Sequence, residues 1–173
     1  MSLSMYQASV PVILQMLKSL DGILDKAVEQ AEARKIKLDV LANYRLAPDM
    51  NSLIQQIQTV SDQAKGVVAR LSGVEVPSFA DDEKTFADMK ERIAKTVAFV
   101  KGVSADKIDG SEDKEIVLKL GPVGPNQMVL NFTGAQYLLH FFMPNFFFHV
   151  TTAYDILRHA GINIGKRDFM GSL

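Results

Sequence analysis

The side chains with the most chemical potential in this sequence are three histidines, His140, His149 and His159, and the amides that share their helical faces. At ~100° per residue, His140 and His149 fall on opposite sides of a straight helix, and His149 and His159 diverge by ~80°. The three therefore do not converge on one ion. His149 differs from the others. Ala153, Ile156 and Ala160 lie within ~40° of it on a helical wheel, so it points along an apolar stripe. Asn145 stands one turn earlier on the same face, at the i, i+4 spacing where two side chains can share a ligand. An earlier helix offers Gln56, which flanks the stripe Leu53/Ile57/Val60, with Gln63 two turns on and Asp49, also directed inward, at its start.

Catalytic zinc takes three strong ligands from His, Asp, Glu or Cys and keeps one position open. The carbonyl oxygens of Asn and Gln are poor donors for transition metals. No resident cofactor is therefore expected. A Zn²⁺ or Ni²⁺ ion, if held, would have His149 as its strong ligand. Three roles stay open for Gln56, Asn145 and His149: a satisfied buried polar network, a metal or small-ligand site, and a polar cluster at a subunit interface. Coordination chemistry favours the first. Other catalytic signatures are absent. There is no G-x-S-x-G, no Gly-rich phosphate loop and no H-E-x-x-H. The acidic run Asp81/Asp82/Glu83 reads as helix capping, while Arg45 and the basic tail G-K-R-D-F read as surface positions that pair with carboxylates.

Composition narrows the field further. Among 173 residues there is no Cys, which excludes disulfides, thiolate metal sites and a Cys nucleophile. Nineteen Lys and Arg against 20 Asp and Glu leave no net basic charge for nucleic acid. The first ten residues carry no basic segment ahead of an apolar one, so the expected location is cytoplasmic.

These residues must be held by helices. Apolar positions step by three and four through four segments, predicted at about 9–34, 49–72, 81–103 and 133–160 of a single 1–173 domain. Ser9 is the predicted cap of the first. A short helical turn follows Asp39. The third has an apolar side, including Phe86, Met89 and Ile93, and a charged side with Lys84, Asp88, Glu91, Arg92 and Lys95. Thr133 and Gln136 have capping-box spacing at the start of the fourth, and Pro144 is expected to kink it. Between helices three and four the period changes. E-I-V-L-K-L and Q-M-V-L-N-F flank G-P-V-G-P-N, which predicts a β-hairpin at about 115–132. Residues 162–173 are predicted to be an irregular tail. The fold class is all-α: a four-helix bundle with one late hairpin.

One window stands out. From Leu120 to Tyr154 there is no Asp, Glu, Lys or Arg, and six of the ten Phe lie inside it, five of them between Phe141 and Phe148. A helix apolar on every side is buried on every side. The apolar surface also suits a homodimer interface, where aromatics are enriched and charges depleted. A membrane span needs about 20 apolar residues, and Tyr137–Val150 is too short and contains His140, Pro144, Asn145 and His149.

The segments R-L-A-P-D-M (45–50), S-L-I-Q-Q-I-Q (52–58), D-Q-A-K-G (62–66), N-F-T-G (131–134), P-N-F-F-F-H-V-T-T-A-Y (144–154) and G-K-R-D-F (165–169) together resemble a bacterial domain-of-unknown-function family within the DinB/YfiT-like superfamily of four-helix bundles. The resemblance covers nearly the whole chain. It implies a divalent-metal site with one His on the second helix and two His four apart on the last. In some members such a metal activates a low-molecular-weight thiol for transfer. Laid on this sequence, those positions fall at Gln56, Asn145 and His149, of which His149 alone keeps a strong ligand. The expectation is a bacterial DinB-like protein, a non-catalytic or degenerate-site homodimeric bundle. The alternatives are a metal-dependent transferase, with Asp49 or His140 completing the site, and a small apolar-ligand module with a cavity lined by Phe142, Phe146 and His149.

Overall fold

The structure, a computed structural model, describes residues 3–171. Its elements in chain order are α1 (Met5–Ala33), α2 (Leu38–Ala42), α3 (Leu53–Ser72), α4 (Phe86–Lys101), α5 (Ala105–Ile108), β1 (Glu115–Leu120), β2 (Met128–Thr133), α6 (Gly134–Gln136), a π-helical segment (Tyr137–Phe142), α7 (Met143–His159) and α8 (Lys166–Met170). Four long helices form the bundle. α3 packs between α4 and α7, and α1 closes the ring against the same two, leaving α1 and α3 diagonal. The antiparallel hairpin pairs Ile116 with Phe132 and Leu118 with Leu130, and this face turns toward the core.

Helix starts are set by reciprocal capping. Ser4, Ser52, Thr85 and Thr133 each accept from the backbone three residues on, and Gln7, Gln55, Asp88 and Gln136 reach back. Three predicted starts move as a result. α1 begins four residues before Ser9, which lies buried inside it with its hydroxyl donating to the Met5 carbonyl at 2.6 Å. Pro11 falls inside the helix on an exposed position, where water can satisfy the carbonyl of Gln7 that the missing N–H leaves free. α3 begins after a turn that leaves Asp49 exposed, not inward. α4 begins at Phe86, so Asp81 and Asp82 lie ahead of it and do not cap it.

The acidic run has another use. Arg92, predicted on the outer face of the third helix, is 2% exposed. Its guanidinium bonds Asp62 at 2.8 Å, Asp81 at 2.9 Å, Glu83 at 2.9 Å and the Ala80 carbonyl at 2.9 Å. Lys65, also buried, bonds the Pro77 carbonyl at 2.8 Å and lies 4.4 Å from the Phe79 ring centroid. The two cations on α4 and α3 thus strap the 74–85 loop across the bundle. Burial pushes the Glu83 carboxyl up, but hydrogen bonds from Gln58 and Arg92 outweigh it and hold the group below its ordinary value.

The fourth helix is not one α-helix. The π segment precedes Pro144, which becomes the second residue of α7. The proline ring would crowd the carbonyl four residues back and leave it without a donor, and the wider π turn accommodates both effects. The predicted irregular tail contains α8, held to α1 by Lys26–Asp168 at 2.5 Å and by Gln15 donating to the Met170 carbonyl at 2.7 Å. Its last two residues lie outside those described.

Arg92 is expected to be among the most sensitive positions of the fold. Arg92→Leu leaves Glu83 buried without its cation, and urea unfolding should register a loss of about 3 kcal/mol. A change below about 1 kcal/mol would show that the strap carries little of the stability.

Candidate functional site

Gln56 stands one turn into α3, a position fixed by the Ser52/Gln55 capping box at the helix start. It is 1% exposed. A buried primary amide must find partners for both its carbonyl and its NH₂ group. The Nε2 group donates to the Asn51 carbonyl at 3.2 Å. That bond turns Oε1 toward α7, where it meets His149 Nδ1 at 2.7 Å. A carbonyl oxygen only accepts, so His149 must donate from Nδ1.

His149 is half-buried, and burial pushes its pKa below the usual histidine value. No charged neighbour contributes to that shift. At neutral pH the ring is therefore neutral, with its proton on Nδ1 and a lone pair on Nε2. The Phe148 ring packs against it at 5.2 Å in a T-shaped arrangement, and the buried Phe142 and Phe146 rings stack at 5.1 Å earlier in the same helical stretch.

Asn145, the third predicted member, is half-buried and takes no part in this chain of bonds. Asp49 is exposed, and so are His140 and His159, the latter stacked on Tyr44 at 6.1 Å. The two residues named for completing a metal site, Asp49 and His140, thus point to solvent. Gln63 has a buried carbonyl without a partner. The structure brings together Gln56 and His149, and the Asn51 carbonyl is a third participant that side-chain patterns could not reveal.

The donor set does not fit the metal that the family resemblance implies. Gln56 has its oxygen engaged by His149, Asn145 offers a neutral amide, and a single imidazole nitrogen is left. Among the described residues no three His, Cys, Asp or Glu are grouped so as to hold an ion. The apolar-ligand cavity expected beside Phe142 and Phe146 meets a similar obstacle. Those rings are 2% and 0% exposed, and Phe132, Phe141 and Tyr137 pack on one another at 5.5–6.1 Å between the hairpin and the π segment.

A neutral buried His makes stability depend on pH. Its folded pKa is lowered, so its contribution is complete above about pH 6.5 and is lost as pH falls through the folded value. Wild-type protein should therefore lose more unfolding free energy between pH 7.5 and 5 than His149→Gln does. Equal losses in chemical denaturation would contradict a depressed His149.

Comparison with known proteins identifies the family. The family described as "Domain of unknown function (DUF1993)" matches residues 5–170. A crystal structure of a DinB family member protein from Shewanella denitrificans at 1.83 Å resolution is 38% identical, with a TM-score of 0.88 over 97% of this chain and 92% of that one. No curated protein matches the chain. The extent of the family match and the shared bundle agree with the resemblance seen in the sequence: this chain is a DinB-like four-helix bundle and belongs to the DUF1993 family.

Proposed function

We propose that this chain is a non-catalytic DinB-like protein, in which the position used for metal chemistry elsewhere in the superfamily is closed by a neutral polar clasp, and that it works as a homodimer. The observation that carries the first half is the 2.7 Å bond from His149 Nδ1 to Gln56 Oε1. It engages two of the three expected ligand positions with each other. A transition metal on His149 Nε2 would leave that bond intact but would find amide oxygens in place of the two other imidazoles, the Gln56 oxygen already engaged.

Support for the homodimer comes from the charge-free window. Leu139 and Phe148 are each 54% exposed, and Pro144 and Thr151 share the outer surface of the same helical stretch. The expectation that this helix is covered on every side is therefore corrected: it leaves an uncharged, partly aromatic face open. Such a face is suited to a second copy, because symmetric interfaces place aromatics at their centre and exclude charge.

Two measurements test these claims separately. Protein purified without a His tag should contain less than about a tenth of an equivalent of Zn or Ni, and neither ion should raise its melting temperature. The double variant Gln56→His/Asn145→His should gain a clear Zn²⁺-dependent rise. Stoichiometric metal in the wild type would establish the transferase-like alternative in its place. In sedimentation at micromolar concentration, the protein should run at twice the 19.1 kDa chain mass, and Phe148→Lys should run as monomer. A monomeric wild type would remove the dimer.

A further inference from the structure

Away from the clasp, residues of α1 and α4 line an open cleft of about 1010 Å³, with Arg167 and Asp168 of α8 also in its wall. Its open apolar surface comes from Leu14, Ala94 and Val97, backed by the buried side chains of Leu17, Ile23 and Ile93. The charges around it are unequal. Lys18, Lys26, Lys101 and Arg167 face Asp21 and Asp168. Both carboxylates are already paired, Asp21 with Lys90 at 3.2 Å and Asp168 with Lys26 at 2.5 Å. Lys101 and Arg167 form no ion pair among the described residues.

Two further observations mark the cleft as more than a gap between helices. Ser19, in its wall, is 7% exposed, and its hydroxyl has no hydrogen-bond partner. Buried hydroxyls are satisfied as a rule, so an orphan at a cleft wall points to a missing partner. The backbone at Gly171 crosses so close that a side chain there would lie 2.6 Å from this hydroxyl. Gly22 stands in the middle of the 29-residue α1, also in the cleft wall, with nothing within 4 Å of where a Cβ would be. Glycine is the least favourable helix residue after proline, and packing within the chain does not require it here. A bare stretch of helix backbone lets another molecule approach closely.

We infer that this cleft binds an amphipathic anion: a small molecule with an apolar body and a carboxylate, of the fatty-acid class. The apolar surface takes the chain and Gly22 admits it against α1. Lys101 and Arg167 provide the positive charge for the carboxylate at the rim. Volumes of about 300–1,000 Å³ lined mainly by apolar side chains with a few polar groups are usual for such ligands.

Isothermal titration with dodecanoate, below its micelle concentration, tests the inference on the intact chain. Saturable binding of one molecule per chain is expected. Dodecyltrimethylammonium, which has the same tail and the opposite charge, should bind at least about tenfold more weakly. Gly22→Leu should weaken dodecanoate by about tenfold or more with the helical circular dichroism unchanged, because the new side chain occupies the cleft. The pair Lys101→Glu/Arg167→Glu should weaken it comparably, and this second variant decides the outcome if Gly22→Leu fails to fold. Non-saturable uptake, equal affinity for the cationic detergent, or indifference to the variants would overturn the inference. So would dodecanoate that dissociates a dimer on binding, since that would assign the cleft to a second copy.

Discussion

α3 packs between α4 and α7 in the ring of four helices, yet it carries polar residues on its covered faces. A buried polar group without a partner costs about 1–3 kcal/mol. Apart from Gln63, whose buried carbonyl has no partner, these side chains are met by groups on neighbouring elements. Gln56 is met by His149 of α7. Ser61 is met by Thr96 of α4 at 2.6 Å, and Thr96 in turn donates to the Arg92 carbonyl. Lys65 is met by the loop carbonyl of Pro77, and the exposed Asp62 binds the buried Arg92 of α4. At the far end Arg70 donates to Tyr137 of the π segment at 3.2 Å. Apolar packing makes the bundle compact, and these bonds fix which faces meet and in what register.

The chemistry of the candidate site follows from the same requirement. Gln56 is satisfied from both ends, by Asn51 and by His149, and the direction of the first bond dictates the tautomer of the second. What is left exposed to other molecules is one neutral imidazole nitrogen beside aromatic rings. That nitrogen can accept a proton or a hydrogen bond. The ring's Nδ1 side is held by a neutral amide, with no charged neighbour contributing to its lowered pKa.

Much of this was legible in the residues. The i, i+4 pair at 145 and 149, the inward Gln56 and the hairpin all follow from periodicity, and the bond between Gln56 and His149 was approachable because both lie on apolar stripes. Asn145 shares the stripe with His149 yet makes no bond, since a helical wheel fixes direction but not reach. Arg92 was misplaced because a long cationic side chain on a helix normally faces water, and the carboxylates that bury it come from a loop and from another helix. The capping residues were present as S-x-x-Q and T-x-x-D, but acidic runs and a proline nearby competed for the same role. α8 left no mark in the pattern because five residues are too few to show a period, and docking on α1 is what stabilises it.

The central claim is that His149 is a neutral, Nδ1-protonated donor held by Gln56, and not a metal ligand. Long-range ¹H–¹⁵N NMR of the histidine rings at pH 7.5, with and without excess Zn²⁺, reads both properties at once. His149 should show the Nδ1–H tautomer, with nitrogen shifts that Zn²⁺ leaves unchanged. An Nε2–H tautomer, or a nitrogen resonance that moves stoichiometrically with Zn²⁺, would contradict it.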